Sequence, residues 1–408
     1  MVLLASVLKP VDDTRMRGKL AETLLERAAV QVHVAGRRTM GDTVSGVAAG
    51  FDTAPAAATS RLLLHPIFAG SRLSLGRLAA QGRYWQLLRR LRPDLVVVCA
   101  PELLPLTLLW QTLGRGRKFI YDIRENYALN VTTQAVYGGW QRRLLAAGLR
   151  WVEGLAARRA SAVLLAEKSY ANELPFLTKL APERVLVLEN KYQPAPTVIL
   201  PRPARPLPAP HEPLRLLFSG TISALNGIYE SLALAKHLHQ NRPGGALLTV
   251  IGCCQQPALL AELQAQAAAN PAWLRLLGGA TPVPHGQIVA EIGAAHFGLL
   301  PYQKHVSTWR CRPTKLFEYL VHGLPVLLPD NPLWAALTAP LHAGLIVDFD
   351  HAEKAAQTVL AVLAEAPASN PAFAAVSNAA FYPDGPATDA VLWAAEGKKL
   401  GALLDTLF

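Results

Sequence analysis

The chain has 408 residues, 51% hydrophobic and 17% charged, with four cysteines and a net charge of +11. That length fits two or three domains, each able to bury a core of its own. The composition excludes a disordered chain and a disulfide-stapled miniprotein.

In chain order, short Val/Leu/Ile-rich runs alternate with helix-length segments. Val2–Val7, Val30–Val34, Leu95–Cys99, Phe119–Asp122, Ala162–Leu165 and Val185–Leu188 read as strands. Arg17–Arg27, Pro101–Leu113 and Trp140–Arg159 read as helices between them. In Tyr192–Pro213 eight of 22 residues are proline, which neither a helix nor a central strand tolerates. This stretch is expected to be a stiff connector. Beyond it the alternation resumes, with strands at Leu214–Phe218, Leu247–Ile251, Leu274–Leu277, Phe297–Leu300, Val326–Leu328 and Leu345–Val347 and a last helix near Asp389–Leu404. Continuously apolar strands indicate parallel sheets covered by helices on both faces. The expected fold class is therefore α/β with two Rossmann-like domains. Residues 1–191 form the first, 192–213 the linker, 214–385 the second, and 386–408 a helix that packs back on the first.

Cys99, Cys253, Cys254 and Cys311 match neither a zinc clamp nor a redox pair and are expected as reduced, mostly buried thiols. Met1–Leu8 is apolar but too short for a signal peptide, and Leu95–Leu113 is broken by Pro101, Glu102 and Pro105. No membrane span is expected, and the expected compartment is the cytoplasm. Residues 1–204 hold 28 basic against 15 acidic residues, whereas residues 205–408 hold 12 against 14. A half carrying +13 suits an anionic partner, and no nucleic-acid motif accompanies it. Trp140–Arg159 sets Arg142, Arg143, Arg150, Arg158 and Arg159 beside Trp140 and Trp151. Such a helix rests on an anionic membrane surface, or is a plain solvated face.

The densest polar chemistry lies in Leu299–Leu327, LLPYQKHVSTWRCRPTKLFEYLVHGLPVL. A strand ends at Leu300, a cationic loop runs from Tyr302 to Arg312, Pro313 and Thr314 start a helix, and Gly323 ends it. A helix start flanked by Arg310, Arg312 and Lys315 is suited to a diphosphate, and Glu318 one turn on can accept from ribose hydroxyls. The alternative is a solvated helix start with Glu318 paired to Lys315.

The string P-T-K-L-F-E-Y-L-V-H-G-L-P-V-L resembles the signature of GT-B glycosyltransferases of the glycosyl transferase group 1 (family 4-like) kind. Leu214–Gly227, LRLLFSGTISALNG, is similar to that family's strand and glycine loop, and Leu95–Tyr127 is similar to its paired N-terminal strands. The resemblance implies two domains facing each other across a cleft and a sugar moved from a nucleoside diphosphate sugar to a hydroxyl acceptor. It implies retention of anomeric configuration and no metal or other cofactor. It places the nucleotide sugar against Gly220, Thr221, Asn226, Gly227, Tyr302, Arg310, Arg312, Lys315 and Glu318. The sequence departs from the pattern in having Arg310 eight positions before Glu318, Asn226 where a lysine is usual, and Arg124 where a histidine is usual. Arg124 and Glu125, just after a strand, are the expected catalytic pair, or an Arg–Glu surface network. Arg15 and Lys19 are the expected acceptor contacts, or part of a capped first helix. The acceptor implied is a cell-envelope polysaccharide or lipid-linked glycan, with the protein peripheral on the inner face of the membrane. A nucleotide-sugar 2-epimerase and a catalytically degenerate GT-B scaffold are the alternatives.

Overall fold

The structure is a computed structural model and describes residues 1–38, 61–71, 74–133, 139–194, 207–306, 308–364 and 390–407. The middle of the proline-rich connector and the expected boundary at residue 385 lie outside the described residues. The chain divides into two compact units, Met1–Gln193 with Trp393–Phe408, and Pro194–Leu392.

The first unit holds seven strands, β1 (Val2–Pro10), β2 (Val32–Arg37), β3 (Leu62–Phe68), β4 (Leu95–Val98), β5 (Lys118–Ile123), β6 (Ala162–Leu165) and β7 (Val185–Val187). They form one parallel sheet in the order β3-β2-β1-β4-β5-β6-β7. Its helices include α1 (Glu22–Leu25), α2 (Gly76–Leu91), α3 (Leu104–Thr112), α4 (Tyr127–Thr133), α5 (Gly139–Arg159) and α6 (Tyr170–Glu173). A π-helical segment, Met16–Ala21, leads into α1, so the single long helix expected at Arg17–Arg27 is two short pieces. The strand that periodicity missed is β3, at the sheet edge, where Pro66 costs no ladder bond with a further strand.

The second unit holds β8 (Leu214–Thr221), β9 (Ala246–Cys253), β10 (Leu274–Gly279), β11 (Phe297–Leu299), β12 (Val326–Leu328) and β13 (Gly344–Ile346). Their order, β10-β9-β8-β11-β12-β13, again all parallel, repeats that of the first sheet. Helices α7 (Ile228–Asn241), α8 (Pro257–Ala269), α9 (His285–Ala294), α10 (Thr314–Val321), α11 (Pro332–Thr338) and α12 (Ala352–Ala364) flank it. Each unit buries its own apolar core. In both sheets the order reverses at the first strand, and open α/β sheets bind ligands beyond the strand C-termini at that point. That directs attention to the loops after β1 and β4, and to those after β8 and β11.

The last helix, α13 (Trp393–Leu407), belongs to the first unit. The Trp393 indole donates to Thr23 Oγ1 at 3.0 Å, and the fully buried Glu396 carboxylate pairs with Lys191 Nζ at 2.7 Å. Arg15 and Lys19 lie over the Trp393 ring, each 5.8 Å from its centroid.

At the heart of this unit Arg15 and Asp122 form an ion pair with both side chains at 0% exposure. Arg15 Nη2 donates to Asp122 Oδ1 at 2.7 Å and Nε to Oδ2 at 3.0 Å, while Nη1 donates to the Leu188 carbonyl at 2.9 Å. The pair thereby ties the loop after β1 to β5 and to the residue after β7. Removing one partner of such a pair leaves a buried charge uncompensated, whereas removing both need not. Asp122→Ala is therefore expected to lose about 3–5 kcal/mol in urea unfolding, and the double variant Arg15→Met/Asp122→Leu to lose less. Equal losses would show that packing, and not charge, sets the penalty.

Candidate functional site

In the second unit β8 ends at Gly220 and Thr221 and β11 is followed by Leu300–Tyr302. These two loops interlock. Gly227 has φ +82°, and a Cβ there would lie 1.9 Å from the Pro301 carbonyl oxygen, so only glycine permits the approach. Gln303 N donates to the Leu225 carbonyl at 3.1 Å, which closes the crossing. Asn226 turns its amide inward, donating to the Thr221 carbonyl at 2.8 Å. It therefore shapes the loop.

Helix α10 starts just beyond the cationic loop. Its residues Leu316, Phe317, Tyr319 and Leu320 are buried. Tyr319 Oη bonds Ser219 Oγ at 2.7 Å and accepts from Ser219 N at 3.1 Å, fixing the helix to the end of β8. This anchorage sets Lys315, which is 8% exposed, with its Nζ 4.5 Å from the Phe218 ring centroid and 5.2 Å from that of Tyr302. A Cβ on Gly220 would lie 3.9 Å from that Nζ. The ammonium has no hydrogen-bond partner. Burial drives its pKa down to about 7, against the opposing pull of Glu318. The rings offer cation–π attraction, but they do not replace hydrogen bonds.

Glu318 is held from outside its own helix. His285, the first residue of α9, places Nε2 at 2.5 Å from Glu318 Oε1. The hydrogen bond to Glu318 raises the pKa of the imidazole, with burial working against it. The expected string did not contain His285. Its only sequence signal is a polar residue shortly after a strand, in the run Thr281–Gly286.

The cationic loop is pinned at its far side by tryptophans. Trp334 donates its indole N–H to the Cys311 carbonyl at 2.8 Å and packs near Tyr302 and Trp309. Arg310 is exposed and Arg312 half-buried on this loop. The structure thus brings Gly220, Tyr302, Lys315 and Glu318 together at the sheet reversal, with Asn226 and Gly227 building the adjoining loop.

The first unit treats its charges differently. Arg15 is sealed against Asp122 and does not reach the surface as an acceptor contact. Lys19, 5% exposed, is spent on Asn190, donating to its side-chain oxygen at 2.6 Å and its carbonyl at 3.2 Å. Arg124 donates both terminal nitrogens to Asp13, at 2.8 and 3.0 Å. Burial pushes the Asp13 carboxyl up, and the Arg124 guanidinium more than offsets this and holds it below its ordinary value. The structure thus places Arg15 and Arg124 on carboxylates and Lys19 on the neutral Asn190 within the unit, and the fully buried Arg15 does not reach the surface as the expected acceptor contact. Glu125 accepts from Lys9 at 2.9 Å and from Asn130 at 3.0 Å, and its side chain stays 35% exposed.

Residues 16–191 match the family model for a glycosyl transferase 4-like domain. Among solved structures, sucrose-phosphate synthase from Thermosynechococcus elongatus superposes with a TM-score of 0.67 at 15% identity, covering 100% of this chain and 98% of its own. WaaG, a glycosyltransferase involved in lipopolysaccharide biosynthesis, gives 0.64 at 16%, covering 99% of each chain. The fold is GT-B. Anabaena HepE in complex with UDP gives 0.61 at 14%, with 100% of each chain covered. No curated protein matches the sequence significantly. Within the GT-B fold, the six strands of the second unit supply the site built around Lys315.

The buried lysine makes a prediction about stability. Its pKa is depressed in the folded protein, so between about 7 and 10.5 the unfolded chain binds more protons there, and stability rises with pH. The penalty is full below pH 7 and gone above about 10.5. Lys315→Met is expected to raise Tm by a few degrees at pH 7, with the gain shrinking toward pH 10. A lower Tm at pH 7 in differential scanning calorimetry would count against an unpartnered charge.

Proposed function

We propose that this chain is a glycosyltransferase that moves a sugar from a nucleoside diphosphate sugar to a hydroxyl acceptor. One observation carries the reading: the Lys315 ammonium, buried without a hydrogen-bond partner where the C-terminal sheet reverses. A desolvated cation there is complementary to a phosphate, whose arrival restores the charged form. The diphosphate lies against Lys315 and the open N–H groups at the start of α10, with Arg310 and Arg312 as further cations and the Gly220–Thr221 backbone beside the leaving phosphate. Glu318 accepts from the ribose. The acceptor oxygen bonds to the sugar C1 as the C1–O bond to the β-phosphate breaks, and the hydroxyl proton passes to the departing diphosphate. The departing diphosphate carries off charge that Lys315 neutralises, which is electrostatic stabilisation from side chains instead of a metal. Retention of configuration follows the family resemblance. That HepE, on the same fold, is a UDP complex makes uridine nucleotides the first donors to try.

The acceptor side belongs to the first unit, where Glu125, 35% exposed and held by Lys9 and Asn130, orients the incoming hydroxyl. We place the acceptor, a cell-envelope polysaccharide or lipid-linked glycan, at an anionic membrane surface on the cytoplasmic side. Trp140, Leu144 and Trp151 on α5 are 70%, 63% and 67% exposed, and Trp140 and Leu144 line a groove of about 760 Å³ together with Pro101, Pro105 and Leu149. Arg143, Arg158 and Arg159 are exposed on the same helix. Aromatic and aliphatic side chains flanked by arginines match the interface of an anionic bilayer. Among the described residues no helix is long and apolar enough to cross a membrane.

Two measurements test this. Thermal stability against UDP-, GDP-, ADP- and dTDP-sugars, with and without EDTA, is expected to rise with one nucleotide irrespective of chelator. Glu318→Ala is expected to weaken that binding by about 1.5–3 kcal/mol. No shift with any donor would sink the donor site, and binding without sugar transfer would favour the scaffold alternative. In flotation, vesicles containing phosphatidylglycerol are expected to carry the protein at low salt and to release it as salt rises. The Trp140→Ser/Trp151→Ser variant should stay behind. Equal flotation of that variant, or its failure to break a self-association seen in ultracentrifugation, would separate a bilayer from a second copy as the occupant of α5.

A further inference from the structure

The proposed donor site contains a contact that the signature string does not include. Glu318 projects from α10, but the group that holds it comes from α9, through the 2.5 Å contact between His285 Nε2 and Glu318 Oε1. The Glu318 side chain is 13% exposed and that of His285 is 55% exposed, so the pair forms a wall of the site with its imidazole side open to solvent.

We infer that His285 is a positioning residue that locks the Glu318 carboxylate into one orientation and thereby makes the site discriminate ribonucleotides from deoxyribonucleotides. The inference rests on the donor site proposed above. A glutamate has three side-chain torsions, and ordering them on binding costs free energy that a preset rotamer avoids. With Oε1 engaged by His285, Glu318 keeps Oε2 directed away from that bond, and among the described residues Oε2 has no hydrogen-bond partner. An ionised carboxylate only accepts, so its natural complement is a group that only needs to donate, such as a sugar hydroxyl. A site built to receive a hydroxyl rejects the analogue lacking it, because the acceptor is then left unpaired. Lys315, on the same helix, attracts Glu318 electrostatically, but its ammonium makes no hydrogen bond and so does not fix the carboxylate's direction. His285 does. The neutral ring in its Nε2–H form and the imidazolium both donate to Oε1, so the positioning does not require a particular protonation state.

The test compares affinities for UDP and 2′-deoxy-UDP by calorimetry, or the same pair for whichever base stabilises the protein, in the wild type, His285→Ala, His285→Gln and Glu318→Ala. The wild type is expected to prefer the ribonucleotide by about tenfold or more. Glu318→Ala should abolish the preference. His285→Ala should cut it to about threefold or less while changing deoxyribonucleotide affinity by less than about twofold, which also reports that the site is intact. His285→Gln, whose amide nitrogen can occupy the place of Nε2, should restore most of it. Full discrimination by His285→Ala would overturn the inference and leave the donor site standing, as would an equal loss of both affinities. A wild type that binds neither nucleotide overturns the donor site itself, and the positioning role with it.

Discussion

A lysine ammonium without a hydrogen-bond partner is among the less favourable things a fold can bury, and the C-terminal unit holds one where its sheet reverses. Lys315 stays in place because α10 cannot move. Tyr319 bonds the end of β8 through Ser219, and Gly298 on β11 leaves no Cβ, which would otherwise lie 2.4 Å from the Tyr319 ring. The helix therefore lies flush on the sheet and its second residue is carried inward, between Phe218 and Tyr302. The backbone at Gly220 is bare on the same side. These features set a buried ammonium beside bare backbone, and the proposed diphosphate is a ligand that would relieve the mismatch.

The two sheets have the same strand order and handle charge in opposite ways. In the first unit Arg15 and Arg124 find Asp122 and Asp13, Lys19 bonds the neutral Asn190, and the loops beyond the strands are cross-linked by these contacts. Those contacts give a rigid platform and also bind the C-terminal helix, through Lys191 and Glu396. In the second unit the Lys315 ammonium, between β11 and β12, has no hydrogen-bond partner. We read the paired charges as architecture and the unpaired one as the proposed donor site, since strongly desolvated ionisable groups concentrate at functional sites.

Much of the fold was visible in the chain itself. Buried parallel strands must be apolar on both faces, so Val96–Val98, Ala162–Leu165 and Val326–Leu328 announce themselves without any partner in view. β3 did not, since an edge strand with Pro66 and His65 breaks the pattern. The helix expected at Arg17–Arg27 is there, but its opening part, Met16–Ala21, is π-helical, which no local propensity encodes. The P-T-K-L-F-E string located Lys315 and Glu318, as its resemblance to a known signature implied. It said nothing of His285, which lies 33 residues away and meets Glu318 only because α9 and α10 pack on the same end of the sheet.

The sequence alone thus determined the class of fold, the run of strands and the stretch that carries the site chemistry, because apolar periodicity and helix-start residues act over a few neighbouring positions. What each charge does was decided only by tertiary structure. Arg15, Arg124 and Lys315 are alike as cations in the connections between strands in the linear chain. Two of them meet carboxylates from distant segments and are neutralised, while the third is enclosed by aromatic rings and meets none. Ionisation and availability depend on burial and on partners more than a hundred residues away, as with Arg15 and Asp122, and those are set when the chain has folded.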